Sequence, residues 1–120
     1  MLIKYIVLTF KITMNMAWIY IIIAGICEIG WAVGLKYTQG FTKPVPVIIT
    51  VVSYIASLIF LSFAIKQIPI GTGYAVWTGI GAVGTAILDI ILFGESKEFA
   101  RLFCILLIIT GIVGLKILAK

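Results

Sequence analysis

One carboxylate, Glu28, lies near the middle of the first long apolar run, about Ala17 to Leu35. An acid at bilayer depth costs roughly 2.5–3.5 kcal/mol at a helix centre even on lenient insertion scales. A chain that keeps such a group uses it, as a cation site, a proton carrier or both. The competing reading is interhelical glue, with a protonated Glu28 hydrogen-bonded to a neighbouring backbone.

The surroundings of Glu28 set the class. Of the 120 residues, 63% are apolar and 11% charged, too little polar surface for a soluble domain of this size. The expectation is an all-α integral membrane protein built as one bundle. A net charge of +5 raises nucleic acid as a partner, but the nine basic residues are scattered singly, as interfacial anchors and topology signals are. No nucleic-acid partner is expected. With no histidine, and with Cys27 and Cys104 both in apolar runs, no metal site, cofactor or disulfide is expected, and both thiols read as free and buried. Nor is there a nucleophile–base pair for an enzyme.

Four spans are predicted, at about 17–35, 46–65, 71–93 and 101–118, each near the 20 residues that the hydrocarbon core requires. Residues 1–15 are too short in apolar content to span and form an atypical N-terminal extension, expected to lie along the interface; Met14 and Met16 are alternative starts. In the first span Ile21, Ala24, Gly25, Glu28, Trp31, Ala32 and Leu35 share a helical face. Small residues beside the carboxyl leave room for a cation or another helix. The second span opens with Pro46 in its first turn and carries Ser53, Ser57 and Ser62, each expected to bond back to its own helix.

The third span places Tyr74, Trp77, Thr78, Gly81 and Thr85 on one face. Gly79, Gly81 and Gly84 fit either a hinge or a packing groove. Asp89, about one turn before Gly94, reads as an interfacial carboxylate reaching water. The fourth span is almost purely aliphatic, with Cys104, Thr110, Gly111 and Gly114 as its small or polar members, which suits an oligomer contact. Lys116 and Lys120 anchor its end.

Orientation is undecided by charge. One side carries Lys4, Lys11, Lys66, Lys116 and Lys120, and the other Lys36, Lys43, Lys97 and Arg101. Such a chain can insert both ways, so that one polypeptide supplies both halves of an antiparallel, dual-topology dimer.

Ala17-Trp18, Gly25, Glu28, Trp31-Ala32, Leu35-Lys36-Tyr37, Gly40-Phe41-Thr42, Pro69, Gly71-Thr72, Tyr74 through Gly81 and Gly114-Leu115-Lys116 together resemble the small multidrug resistance family, from Met16 to the C-terminus. Trp31, one turn after the central glutamate, makes the likeness closer to its guanidinium-exporter subtype. The resemblance implies a four-helix protomer, an antiparallel homodimer in the cell membrane, and proton-coupled export of guanidinium and small guanidinyl cations through paired glutamates. It carries the binding role to Glu28 with Gly25, Trp31, Ser57, Tyr74 and Trp77, the hinge to Gly79 and Gly81, and the dimer contact to the fourth span, where Cys104 and Gly111 lie. The extension, Gly30 and Asp89 depart from the family pattern; an acid near Asp89 is known in paired systems, so a heterodimer with a sister chain is the alternative assembly.

Under this reading Ser57 and the Trp31 N–H hold the carboxylates in plane, while Tyr74 and Trp77 offer faces for cation–π contact. Two other readings stand beside it: an exporter of bulky quaternary ammonium cations, and a non-transporting membrane subunit in which Glu28 only joins helices.

Overall fold

The computed structural model describes residues 1–118, apart from the side chains of residues 10, 13 and 14. Lys120, expected to anchor the last span, lies outside the described residues. Four helices follow one another: α1 (Leu2–Tyr37), α2 (Pro44–Ala64), α3 (Ile70–Phe93) and α4 (Phe99–Leu118). Each contains a stretch long and apolar enough to cross a membrane, beginning at Asn15 in α1. The protein is an all-α, multi-pass membrane protein, as its composition requires.

Helix ends follow local chemistry. Nothing between Leu2 and Ala24 is a glycine or proline, so no residue there interrupts the helix. The extension therefore continues α1 without a break. At 1.5 Å per residue, the 36 residues of α1 measure about 54 Å, more than the roughly 30 Å hydrocarbon core. After Tyr37 the chain turns through left-handed Gln39, Gly40 and Phe41, with φ of 47°, 73° and 65°. Thr38 secures this turn: its hydroxyl donates to the Leu35 carbonyl at 2.7 Å and accepts from the Phe41 N–H at 3.3 Å. Pro44 then starts α2, where a missing N–H costs nothing. At the far end of α3, Gly94 (φ 68°) is left-handed, and the N–H groups of Gly94 and Glu95 both reach the Asp89 carbonyl.

The core forms at the Trp18 end of the bundle. Ala17, Trp18, Ile21 and Ala24 from α1 are buried with Ala64, Ile68, Val76 and Trp77. α1 lies between α2 and α3, and α4 approaches α3 alone by its backbone. Bare glycine Cα atoms let the helices close: Gly34 receives Thr50, Gly25 receives Ile80, Gly73 receives Ile65, Gly84 receives Ile29 and Gly79 receives Ile112. Lysine–aromatic pairs mark both ends, with Lys36 Nζ 4.1 Å from the Phe93 ring and Lys116 Nζ 5.2 Å from the Trp18 ring.

The structure adds a partner to Asp89. It is the part-exposed carboxylate near a helix end that was expected, but it is also paired: Arg101 on α4 meets it at 3.1 Å and Glu95 at 3.3 Å. One guanidinium thus ties α4 to the end of α3. Both cysteines are free, but Cys104 is exposed on α4 rather than buried.

Candidate functional site

Glu28 occupies the third turn of α1 beyond Trp18 and reaches across to α3. Its carboxyl lies where a Cβ on Gly81 would have to be, so any larger residue at position 81 would displace it. One turn earlier, Gly25 is equally bare beneath Ile80. The pairs Gly25–Ile80, Glu28–Gly81 and Ile29–Gly84 ascend together, so α1 and α3 run parallel here, and their glycines set the depth of the carboxyl. Glu28 Oε2 is buried and has no hydrogen-bond partner. A buried unpartnered carboxyl oxygen is rare enough to require an account, and a bound cation or a proton supplies one.

Ser57 on α2 is fully buried and joins the three helices. Its hydroxyl donates to the Ala24 carbonyl on α1 at 2.7 Å and accepts the Trp77 Nε1–H from α3 at 2.8 Å. The expectation that each serine bonds within its own helix holds for Ser62, which donates to the Ile59 carbonyl at 2.6 Å, and fails for Ser57. The reason is register: the Ala24 carbonyl and the Trp77 indole N–H both come within hydrogen-bond reach of Ser57. With both hydrogen bonds made elsewhere, Ser57 does not hold the carboxylate in this protomer. It fixes Trp77 instead, one turn from Gly81 and hence from Glu28.

The aromatic residues divide in the same way. Trp77 is 8% exposed and Tyr74 58%, with ring centroids 5.6 Å apart at a 56° tilt. Tyr74 therefore stands at the protomer's open surface and Trp77 inside the bundle. Trp31 lies edge-on to Tyr54 of α2, 5.2 Å between centroids at 85°. Its Nε1–H is buried without a partner and makes no bond to Glu28. Tyr54 went unnoticed in the sequence because its role depends on α2 register. Gly25, Glu28, Trp77 and Gly81 are thus gathered at one depth, with Ser57 behind Trp77 and Trp31 one turn beyond. A cavity of about 400 Å³ lined by Ile12, Tyr20, Phe63 and Lys66 lies at the opposite end of the bundle from Tyr37 and has no part in this arrangement.

Gly79 and Gly81 both carry neighbouring side chains, Ile112 and Glu28, within an unbroken α3. Their packing use is therefore realised here. Cys104 and Gly111 are exposed on α4, and a Cβ added at Gly111 would meet only open space within 4 Å. Among the described residues no group of His, Cys, Asp or Glu is placed to hold a metal.

The family model described as Small Multidrug Resistance protein matches residues 16–108. A guanidinium exporter of Yersinia pestis is 57% identical over 102 residues, covering 85% of this chain and 98% of the relative. The guanidinium exporter of Proteus vulgaris is also 57% identical over the same shares, and that of Salmonella typhimurium 56%, covering 85% and 97%. The chain belongs to the small multidrug resistance family of membrane transporters.

Proposed function

We propose that the protein is a proton-coupled exporter of guanidinium and small guanidinyl cations, working as an antiparallel dimer. The observation that carries this reading is the buried, unpartnered Glu28 carboxyl seated on Gly81 beside the fixed Trp77 indole. A planar cation with several N–H donors satisfies carboxylate oxygens in plane, as an arginine head group does. Trp77 and Tyr74 add aromatic faces on which the cation can rest.

Two protomers bring two Glu28 groups toward one site. Protons and the cation then compete for the same oxygens, and one site gives exchange without further machinery. Four helices form a thin wall, and α4 leaves its Cys104 and Gly111 surface open for the second copy. Alternating access follows when the two copies exchange conformations, with Gly79 and Gly81 taking up the bend. Arg101 holding Asp89 gives that acid a role within one protomer, which suits a homodimer without a sister chain.

Proton release from the purified protein on adding guanidinium is the test. Guanidinium should release protons and tetramethylammonium should not. Glu28→Gln should abolish the release while leaving dimerisation intact, because the amide keeps the shape and loses the titration. Release by tetramethylammonium alone would make the protein a quaternary ammonium exporter. Loss of assembly in Glu28→Gln would make the carboxyl a helix joint.

A further inference from the structure

Polar satisfaction is unequal on the two sides of Glu28. Toward Trp18 the buried polar groups are paired, with Ser57 bonded to both Trp77 and the Ala24 carbonyl beside the apolar core. Toward Tyr37 it is not. The buried side-chain atoms without partners among the described residues are Glu28 Oε2, Trp31 Nε1, Thr85 Oγ1 and Thr50 Oγ1. All but the carboxyl itself lie on the Tyr37 side. Trp31 is one turn beyond Glu28, and Thr85 one turn beyond Gly81 on the parallel helix, so both reach the same level. Thr50, 3% exposed, sits against Gly34, one turn farther along α1. The next turn is Thr38, at the α1–α2 turn.

We infer that Trp31, Thr85 and Thr50 line a hydrated proton route joining Glu28 to the α1–α2 turn. The set of atoms selects the occupant. A guanidinium ion only donates, and could not accept the Trp31 N–H. A water molecule accepts from Trp31 and donates to the carboxylate or a threonine hydroxyl, so a short file of waters supplies partners to all four atoms. Along such a file each water takes one proton and passes one on, so a single proton moves with no other species consumed. The charged and titratable groups around this half are Lys36 and Tyr37 on α1, Lys43 before α2, Tyr54 on α2, Asp89 on α3, and Glu95, Lys97, Glu98 and Arg101 where α3 passes to α4. Lys36 lies over Phe93, Tyr37 packs against the same ring, Tyr54 faces the Trp31 ring and Asp89 is held by Arg101. Cys27, half-buried next to Glu28, completes the group.

This inference rests on the proposed exchange, and adds direction to it. In an antiparallel pair the two copies' routes lead toward opposite faces, and alternating access lets only one of them reach water at a time, so that exchange stays coupled. Thr50 and Thr85 are positioning residues for water, not contacts of the cation.

Stopped-flow proton release with a pH dye, alongside guanidinium affinity from titration of tryptophan fluorescence, tests it on the full chain. Thr85→Val and Thr50→Val should each slow release roughly three- to tenfold, the factor that one net hydrogen bond is worth, with guanidinium affinity unchanged. Thr→Ser at either position should restore the rate. Gly34→Ala, which puts a methyl against the Thr50 hydroxyl, should slow release without removing a polar group. Wild-type rates in all these variants would overturn the route, as would weakened affinity in proportion to the rate, which would make the threonines cation contacts. Slowing that serine fails to rescue would assign them to packing. Absence of proton release from the unmodified protein would overturn the exchange reading and the route together, whereas Glu28-dependent release with indifferent threonines would overturn the route alone.

Discussion

The Glu28 carboxyl rests against the bare Cα of Gly81, on the neighbouring parallel helix. A side chain that is costly in a bilayer is thus set at its depth by the absence of one on its partner. This relation makes the effect of a single methyl at position 81 opposite for stability and for binding.

Gly81→Ala should leave thermal stability unchanged or slightly raised, since alanine favours a helix by up to about 1 kcal/mol over glycine and the displaced group is a flexible carboxyl. Guanidinium affinity should nevertheless fall by about tenfold or more, the equivalent of about 1.4 kcal/mol. Thermal unfolding in detergent and a guanidinium titration on the same preparation check both signs. A parallel loss of both would mean that position 81 serves packing only.

Ser57→Ala should destabilise the protein by about 1–3 kcal/mol, because Trp77 Nε1–H loses its acceptor inside the bundle and the Ala24 carbonyl loses its second hydrogen bond. Trp77→Phe removes the donor together with its need and should cost less than Ser57→Ala in the hydrogen-bonding part. Combining the two changes should cost less than their sum, which unfolding of the single and double variants measures.

Trp31 governs the volume beside the carboxyl. Trp31→Gly should weaken guanidinium exchange and admit bulkier cations, since the indole is removed together with its edge contact to Tyr54. Trp31→Phe keeps an aromatic ring against Tyr54 and loses the N–H with the indole's second ring, so it should retain more of the exclusion of bulky ions than glycine does. Exchange assays with guanidinium and tetraethylammonium separate the two outcomes. Retained guanidinium preference in Trp31→Gly, with only stability lost, would assign the ring to packing.

The charge balance predicts two orientations. A tag on the C-terminus should be found on both sides of one membrane. Two lysines added to either loop side should force one orientation and reduce the activity of that protein expressed alone. Full activity from a uniformly oriented population would contradict the antiparallel pair.

The sequence by itself determined the class, the four spans and the central acid. Burial in a bilayer is priced residue by residue, so a run of apolar side chains and one carboxyl within it are legible without any contact. It also placed Gly25 and Glu28 on one stripe of the first helix and Trp77 and Gly81 on one stripe of the third, because helical periodicity is local. What it could not decide is which atoms meet. Ser57 and Ala24 are 33 residues apart, and only the register of α2 on α1 makes one the donor and the other the acceptor. The same dependence hid Tyr54 behind Trp31 and Arg101 against Asp89. Hydrogen bonds and ion pairs reach only a few ångströms, so their partners are fixed by how helices slide and turn against one another, and that is settled by tertiary packing at bare glycines rather than by any one helix.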